Sequence, residues 1–398
     1  MNREYRVNAL IGTGHFLSHF YVLSLPPLFL VWQDNFTVSF AQLGLTVALM
    51  QGTTALLQTP VGFLVDRHGA RRYLVGGTLL MTLAMAAMAF TTAFWQILAL
   101  ALLSGIGNSV IHPADYAILS GSIDKDRMGR SFAWHTLTGN LGFAAAPPVM
   151  AALILAFGWR HALLAVGCVG IPLVVTILWQ SRILNDQSRP VQTHAGPVLS
   201  GRQLLMTKPM LLFFTFFLLG SMAGAGVQSW IITVLHQVHG MGLEAASSVL
   251  TSYMIGGAAG VVVGGYAADR IRRHLTFAST LTAVSAVLIF VVAAIALPDG
   301  ATIAVMFASG LALGASRTPR DIMVKDAAPP GQIGKVFGFV SAGLPLGSAL
   351  TPVPFGWLID VGRPELVLVF VAILLLLSLL CAGTARAAAH ESVAMAAE

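Results

Sequence analysis

Long apolar runs separated by short polar stretches make up almost the whole chain. A helix that crosses a bilayer needs ~20 predominantly apolar residues. Twelve runs reach that length and are called spans one to twelve here. They cover approximately residues 8–32, 41–65, 73–93, 96–120, 131–157, 160–180, 209–235, 244–267, 276–297, 300–324, 333–358 and 364–384. The pattern predicts an all-α integral membrane protein with twelve transmembrane helices.

A polar stretch divides the spans into two sets of six. Residues 181–208 are rich in Gln, Ser, Pro and Arg and contain no apolar run long enough for a span. This composition is typical of a mostly flexible linker. We therefore predict a six-helix bundle at 1–180, a linker at 181–208, and a second six-helix bundle with a short tail at 209–398.

Composition and charge support the membrane assignment and give it an orientation. Hydrophobic residues make up 56% of the chain and charged residues 10%, whereas soluble domains carry about 25% charged residues. The net charge of +6 comes from clusters between the apolar runs, so it does not indicate a nucleic-acid partner. Placing both termini in the cytosol leaves Arg160 and Arg363 outside, as the positive-inside rule favours. Cys168 and Cys381 lie within apolar runs, and we expect them to pack as small hydrophobic residues.

The two halves repeat each other at a nearly constant offset. The sequence GFLVDRHGARR at 62–72 has an echo, GYAADRIRR, at 265–273. Gly142 and Pro147 of span five match Gly347 and Pro352 of span eleven. Paired six-helix halves allow a transporter to expose one central site to either side of the membrane by rocking. A channel or a membrane enzyme has no need of this symmetry.

The segment 62–72 fits G-x-L-x-D-R-x-G-x-R-R along its whole length and resembles the major facilitator superfamily. The resemblance implies that Asp66, and with less weight Asp269, contacts the other half and helps close the cytosolic side. We predict a gating motif formed by Gly62, Asp66, Arg67, Gly69, Arg71, Arg72, Asp269 and Arg270. A loop that only fixes the membrane topology is the alternative.

Polar residues inside apolar spans are candidates for the transport pathway, because they are costly in lipid. His15 and His19 are four residues apart and share one helix face. We predict a proton relay formed by His15, His19, Asp115, His135 and Asp321, since histidine can exchange a proton near neutral pH. For His135, a structural role as a hydrogen-bonded packing residue is an equal alternative to the relay. Metal binding by His15 and His19 is the weaker interpretation, because no acids or cysteines accompany them in the sequence, and we predict no metal or cofactor.

Span ten carries both signs of charge. Arg317, Asp321 and Lys325 are spaced four apart, so the acid can neutralise one neighbour while one arginine remains. An unpaired guanidinium at membrane depth favours an anion such as a carboxylate or phosphonate. We predict a substrate site containing Arg317, Arg320, His112, Trp230, Asn140 and Tyr116. In the alternative, the arginines pair with acids of the first half or reach the cytosol.

The segments 14–19, 105–113 and 139–142 also resemble the fosmidomycin-resistance branch of the same superfamily. That branch continues its His-Pro pair with Glu, whereas Ala114 and Asp115 follow here.

We predict a proton-coupled transporter of a small anionic or zwitterionic organic solute in the bacterial inner membrane. Export follows from the resemblance, and proton-coupled uptake of an organic acid is the alternative. We expect a monomer whose partners are the solute, protons and the lipid bilayer. A membrane sensor or a membrane enzyme is a minor hypothesis.

Overall fold

The computed structural model describes residues 3–124, 127–185, 206–268, 270–327, 336 and 339–397 of the 398-residue chain. In this part of the chain the secondary structure is helical. Spans one to six are formed by helices Arg3–Leu23 with Phe29–Phe36, Phe40–His68, Ala70–Ala87, Phe94–Asn108 with Ile111–Ser122, and Met128–Trp179, which contains spans five and six. Spans seven to twelve are formed by Lys208–His239, Leu243–Ala268, His274–Ala294, Asp299–Ala327, Gly343–Leu350 with Pro352–Asp360, and Glu365–Ala397.

The helix Met128–Trp179 accounts for two membrane crossings. Eleven described helices are long and apolar enough to cross a bilayer. This one has 52 residues, which at 1.5 Å per residue is roughly twice the length that a crossing needs. Its backbone leaves the helical region at Gly158, with φ 78° and ψ 161°, and the chain turns there from span five into span six. The prediction of twelve spans is confirmed.

A single residue separates spans two and three. Span two ends at His68 and span three begins at Ala70. Gly69 between them has φ 87° and donates its N–H to Val65 O at 2.8 Å. A side chain would strain this backbone conformation, so the turn requires glycine. The side chain of Asp66 and the whole of Asp269 lie outside the described residues, and with them the predicted latch.

Span four is broken next to its polar residues. The first helix ends at Asn108 and the second begins at Ile111. Pro113 has no N–H to donate one turn back, which favours a break at this point. Because of the break, His112 and Asp115 lie on a separate short helix, Ile111–Ser122. This helix packs against spans one and three.

The two halves meet at the side of the molecule opposite the start of span one and the ends of spans two and six, called the far side here. Gly44 of span two lies against the carbonyl of Pro352 in span eleven, and Gly356 lies against the carbonyl of Phe40. The carboxylate of Asp360 accepts hydrogen bonds from Phe40 N at 2.6 Å and from Ala41 N at 2.8 Å. We call this contact between spans two and eleven the far-side seal.

Trp230 of span seven belongs to the same seal. Its side chain is fully buried, its Nε1 donates to Pro352 O at 3.0 Å, and its ring lies 5.0 Å from that of Phe29. The structure thus places Trp230 in the packing that closes the far side, and not in the substrate site that the sequence predicted.

Candidate functional site

A small cavity lies between the halves. Its volume is about 50 Å³, enough for one or two water molecules. Its walls come from span five of the first half and from spans seven, eight and ten of the second. They include Asn140, Phe143, Gln228, Tyr253, Met254, Gly257, Ala258, Gly310, Leu313, Gly314 and Arg317.

Arg317 supplies the positive charge of this cavity. Its neighbour Arg320 contacts Asp321 Oδ1 through Nε and Nη2, each at 3.0 Å, and its guanidinium lies 4.0 Å from the centre of the Phe217 ring. Arg317 makes no hydrogen bond or ion pair with the described residues, and its side chain is exposed. Among the described residues one arginine does remain unpaired, as the spacing suggested, but Asp321 pairs with the adjacent Arg320 and not with Arg317. The side chain of Lys325 lies outside the described residues.

Four histidine rings from three spans come together in the first half. The ring of His15 lies 4.3 Å from that of His19, 5.0 Å from that of His112 and 3.6 Å from that of His135. His15 and His135 are stacked with an angle of 8° between their planes. Gly139 makes this approach possible, because a Cβ there would lie 2.5 Å from His15 Cε1 and 2.9 Å from His19 Cε1.

A buried carboxyl group anchors the cluster. Asp115 is inaccessible to solvent, and its Oδ2 lies 3.0 Å from Nε2 of His135. Its Oδ1 has no hydrogen-bond partner among the described residues. The rings of His15, His112 and Tyr116 all lie within 6.0 Å of the His135 ring. The arrangement provides a buried acid with a histidine partner and one oxygen free to accept a proton.

The cavity and the histidine cluster are neighbours. The Phe143 ring lies 4.1 Å from that of His19, and Phe143 also lines the cavity. Among the residues predicted for the substrate site, Asn140 and Arg317 share this cavity. His112 belongs instead to the histidine cluster, and the ring of the exposed Tyr116 lies 6.1 Å from the His112 ring. Arg320 packs against Phe217.

Sequence reasoning missed several wall residues. Gln228, Tyr253 and Phe143 line the cavity and did not belong to any motif. The signal for Gln228 and Tyr253 was a polar group isolated in an apolar span. Phe143 gave no such signal, since an aromatic residue in an apolar run is indistinguishable from a packing residue.

Known proteins resemble this chain in both sequence and fold. The probable L-galactonate transporter of Escherichia coli (strain K12) is 25% identical over 60% of this chain and 55% of its own length, so this chain spans about half of that relative. The fosmidomycin resistance protein of the same organism is 24% identical over 93% of this chain and 90% of its own length. A crystal structure of a bacterial homologue of the human lysosomal transporter Spinster superposes with a TM-score of 0.75, at 14% identity, over 98% of this chain and 96% of that one.

These relatives and this fold are those of transporters and not of enzymes. The family model described as Major Facilitator Superfamily matches residues 11–250 and again residues 239–394. The two matches together extend over nearly the whole chain. This multi-pass membrane protein belongs to the major facilitator superfamily.

Proposed function

We propose that the protein is a secondary transporter that carries a small organic anion or zwitterion across the bacterial inner membrane by alternating access. The observation that carries the proposal is Arg317, an arginine without a partner among the described residues, on a cavity between the two halves. Both termini lie in the cytosol in this proposal, and one chain suffices for transport.

The chemistry of Arg317 favours an anionic group on the solute. Guanidinium remains protonated in proteins and offers parallel donors that match a carboxylate or a phosphonate. Asn140 and Gln228 on the same wall can donate or accept, and Tyr253 adds a hydroxyl group. An anion with further polar groups therefore finds both charge and hydrogen bonds here. The relative named for L-galactonate, a carboxylate, is consistent with this choice.

Proton coupling is assigned to the pair of Asp115 and His135. Buried carboxyl groups within membrane spans commonly mark proton pathways in transporters. Asp115 has one bonded and one unbonded oxygen, so it can take a proton without breaking its bond to His135. The pair is in the first half, beside the cavity, where rocking of the halves changes its access to water.

Export in exchange for protons is the favoured direction. The likeness to the fosmidomycin resistance protein extends over nearly the whole chain and supports it. Proton-coupled uptake of an organic acid is the second candidate, and the charge of Arg317 is compatible with both.

Proteoliposomes with an imposed pH gradient separate the candidates. The probes are L-galactonate as a carboxylate and fosmidomycin as a phosphonate. Accumulation of a probe on the acidic side indicates exchange with protons, whereas accumulation on the alkaline side indicates symport. Equal transport with and without the gradient would rule out both coupled mechanisms.

Arg317→Gln tests the anion site directly. We expect the affinity for the transported probe to fall roughly 10- to 100-fold, because a hydrogen bond to a charged group is worth about 1.5–3 kcal/mol. Arg363→Gln is the matched control, since Arg363 is exposed on the far side and bonds Glu365 at the surface. Unchanged transport by Arg317→Gln would remove the anion hypothesis.

A further inference from the structure

Three of the clustered histidines have ring nitrogens at short range, and each also has a ring nitrogen without a partner among the described residues. One ring nitrogen from each of His15, His19 and His112 lies within 4.8 Å of those of the other two. Each ring also has a buried nitrogen without a hydrogen-bond partner among the described residues: Nε2 of His15, Nδ1 of His19 and Nδ1 of His112. A buried polar atom that forms no hydrogen bond costs about 1–3 kcal/mol, so three in one place require an explanation.

The hydrogen bond of His15 determines which of its nitrogens is free. Its Nδ1 lies 2.7 Å from the carbonyl oxygen of His135. A carbonyl oxygen can only accept, so Nδ1 carries the hydrogen, and Nε2 of the neutral ring presents a lone pair. Histidines that bind metals typically donate their second nitrogen to a carbonyl or carboxylate in this way, which fixes both the tautomer and the ring orientation.

The rings are also held in place by their neighbours. His15 stacks on His135, and His135 is in turn bonded to the buried Asp115. Phe143 packs against His19 from the other side. Groups that are not themselves ligands therefore orient the rings of His15 and His19.

We propose that His15, His19 and His112 bind one divalent late transition-metal ion, with Zn²⁺ as the reference ion. Imidazole nitrogen suits Zn²⁺, Cu²⁺, Ni²⁺ and Co²⁺, and three protein ligands leave a fourth position open. Zn–N bonds of 2.0–2.1 Å place tetrahedral ligands roughly 3.3 Å apart, so the nitrogens move closer by about 1–1.5 Å when the ion binds. The fold brings His112 next to His15 and His19 as the third ligand, which the sequence did not indicate.

The position of the site gives the ion a role in transport. Phe143 lies between His19 and the cavity of Arg317. Three neutral ligands leave the full +2 charge on the ion, which adds to the positive potential at the cavity and favours an anionic solute. The binding site itself does not depend on the proposed solute or on proton coupling.

Metal binding is tested on the purified full-length protein in detergent, isolated without a polyhistidine tag and stripped with a chelator. Titration calorimetry with Zn²⁺ and elemental analysis are expected to give one ion per chain. Co²⁺ in place of Zn²⁺ should give the visible spectrum of a four-coordinate site. Each of His15→Gln, His19→Gln and His112→Gln should weaken binding at least 10-fold. His161→Gln is the matched control, because His161 is exposed at the far end of span six.

A second variant keeps the test decisive if the glutamine variants misfold. His112→Cys retains a ligand atom, so it should still bind one Co²⁺ and should add a thiolate-to-cobalt charge-transfer band. Less than half an ion bound per wild-type chain at micromolar Zn²⁺, equal loss in His161→Gln, or a Co²⁺ spectrum of His112→Cys without the thiolate band would overturn the proposal. The assay contains no solute, so a negative result leaves the transport proposal standing.

Discussion

At Gly139 the absence of a side chain decides how closely span five approaches span one. A Cβ there would come within 2.8 Å of His15 Nδ1 and within 2.9 Å of His19 Cε1. The stacked pair of His15 and His135 has little room to move away, because His135 is bonded to Asp115. This glycine is thus a requirement of the histidine cluster and not only a general feature of helix packing.

Gly139→Ala should therefore destabilise the protein. Overpacking by one methyl group in a close-packed region typically costs about 1–3 kcal/mol, so the midpoint of thermal unfolding should fall. Gly76→Ala is the control, since a Cβ at Gly76 would meet nothing within 4 Å and alanine favours the helix. Equal midpoints for the two variants would show that the cluster tolerates the displacement of its rings.

At the scale of elements, spans two and eleven form the contact that closes the far side. Gly44 and Gly356 allow the backbones of the two spans to touch. Asp360 then accepts hydrogen bonds from two backbone N–H groups at the start of span two. Those N–H groups have no partner within their own helix, and a negative charge is favourable there. One carboxylate thereby joins the second half to the first.

Asp360→Ala should loosen this seal. Hydrogen bonds to a charged group are worth about 1.5–3 kcal/mol, enough to shift a balanced conformational equilibrium by roughly 10- to 100-fold. Spin labels on Asn35→Cys and Arg363→Cys, both exposed on the far side, would report a longer distance by electron–electron double resonance. The control is Asp34→Ala, which removes an exposed carboxylate close to the seal. A distance distribution like that of the control would show that packing alone holds the seal.

At the scale of the whole molecule, the cavity volume of about 50 Å³ is far below the ≈ 300–1,000 Å³ of typical ligand pockets. The contacts of the seal close the far side, and this cavity is smaller than an organic solute. In the proposed alternating-access mechanism the halves change their relative orientation, and the six-span repeat provides the symmetry for that motion. A covalent crosslink across the far-side seal should therefore stop transport without altering the cavity.

Crosslinking tests this directly. In a background with Cys168→Ala and Cys381→Ala, the pair Ala41→Cys and Val361→Cys places one thiol on each side of the seal, next to the bonds of Asp360. A short reducible crosslinker should abolish probe transport, and reduction should restore it. Each single cysteine variant is a control for labelling alone. Transport that continues at full rate in the crosslinked protein would exclude opening of this seal as a step of the cycle.

The membrane class, the twelve spans and their repeat could all be predicted from the sequence. Apolar run length and bilayer thickness are matched quantities, so the spans could be counted without any tertiary information. The turn at 62–72 could also be predicted, because Gly69 and its charged neighbours are local signals. The surplus arginine of span ten could also be anticipated from spacing, although the spacing did not identify Arg317 as the unpaired one.

Which polar groups share a site depends on how the spans pack together. His112 is about a hundred positions from His15, and their meeting depends on how spans one, four and five pack. Trp230 shows the same limit, since the sequence predicted it in the substrate site and its neighbours place it in the seal. Helix periodicity fixes which residues share a face, but the rotation of each helix about its axis is set by close packing with its neighbours. This packing depends on contacts between segments that are distant in the sequence, and a local sequence pattern does not predict such contacts.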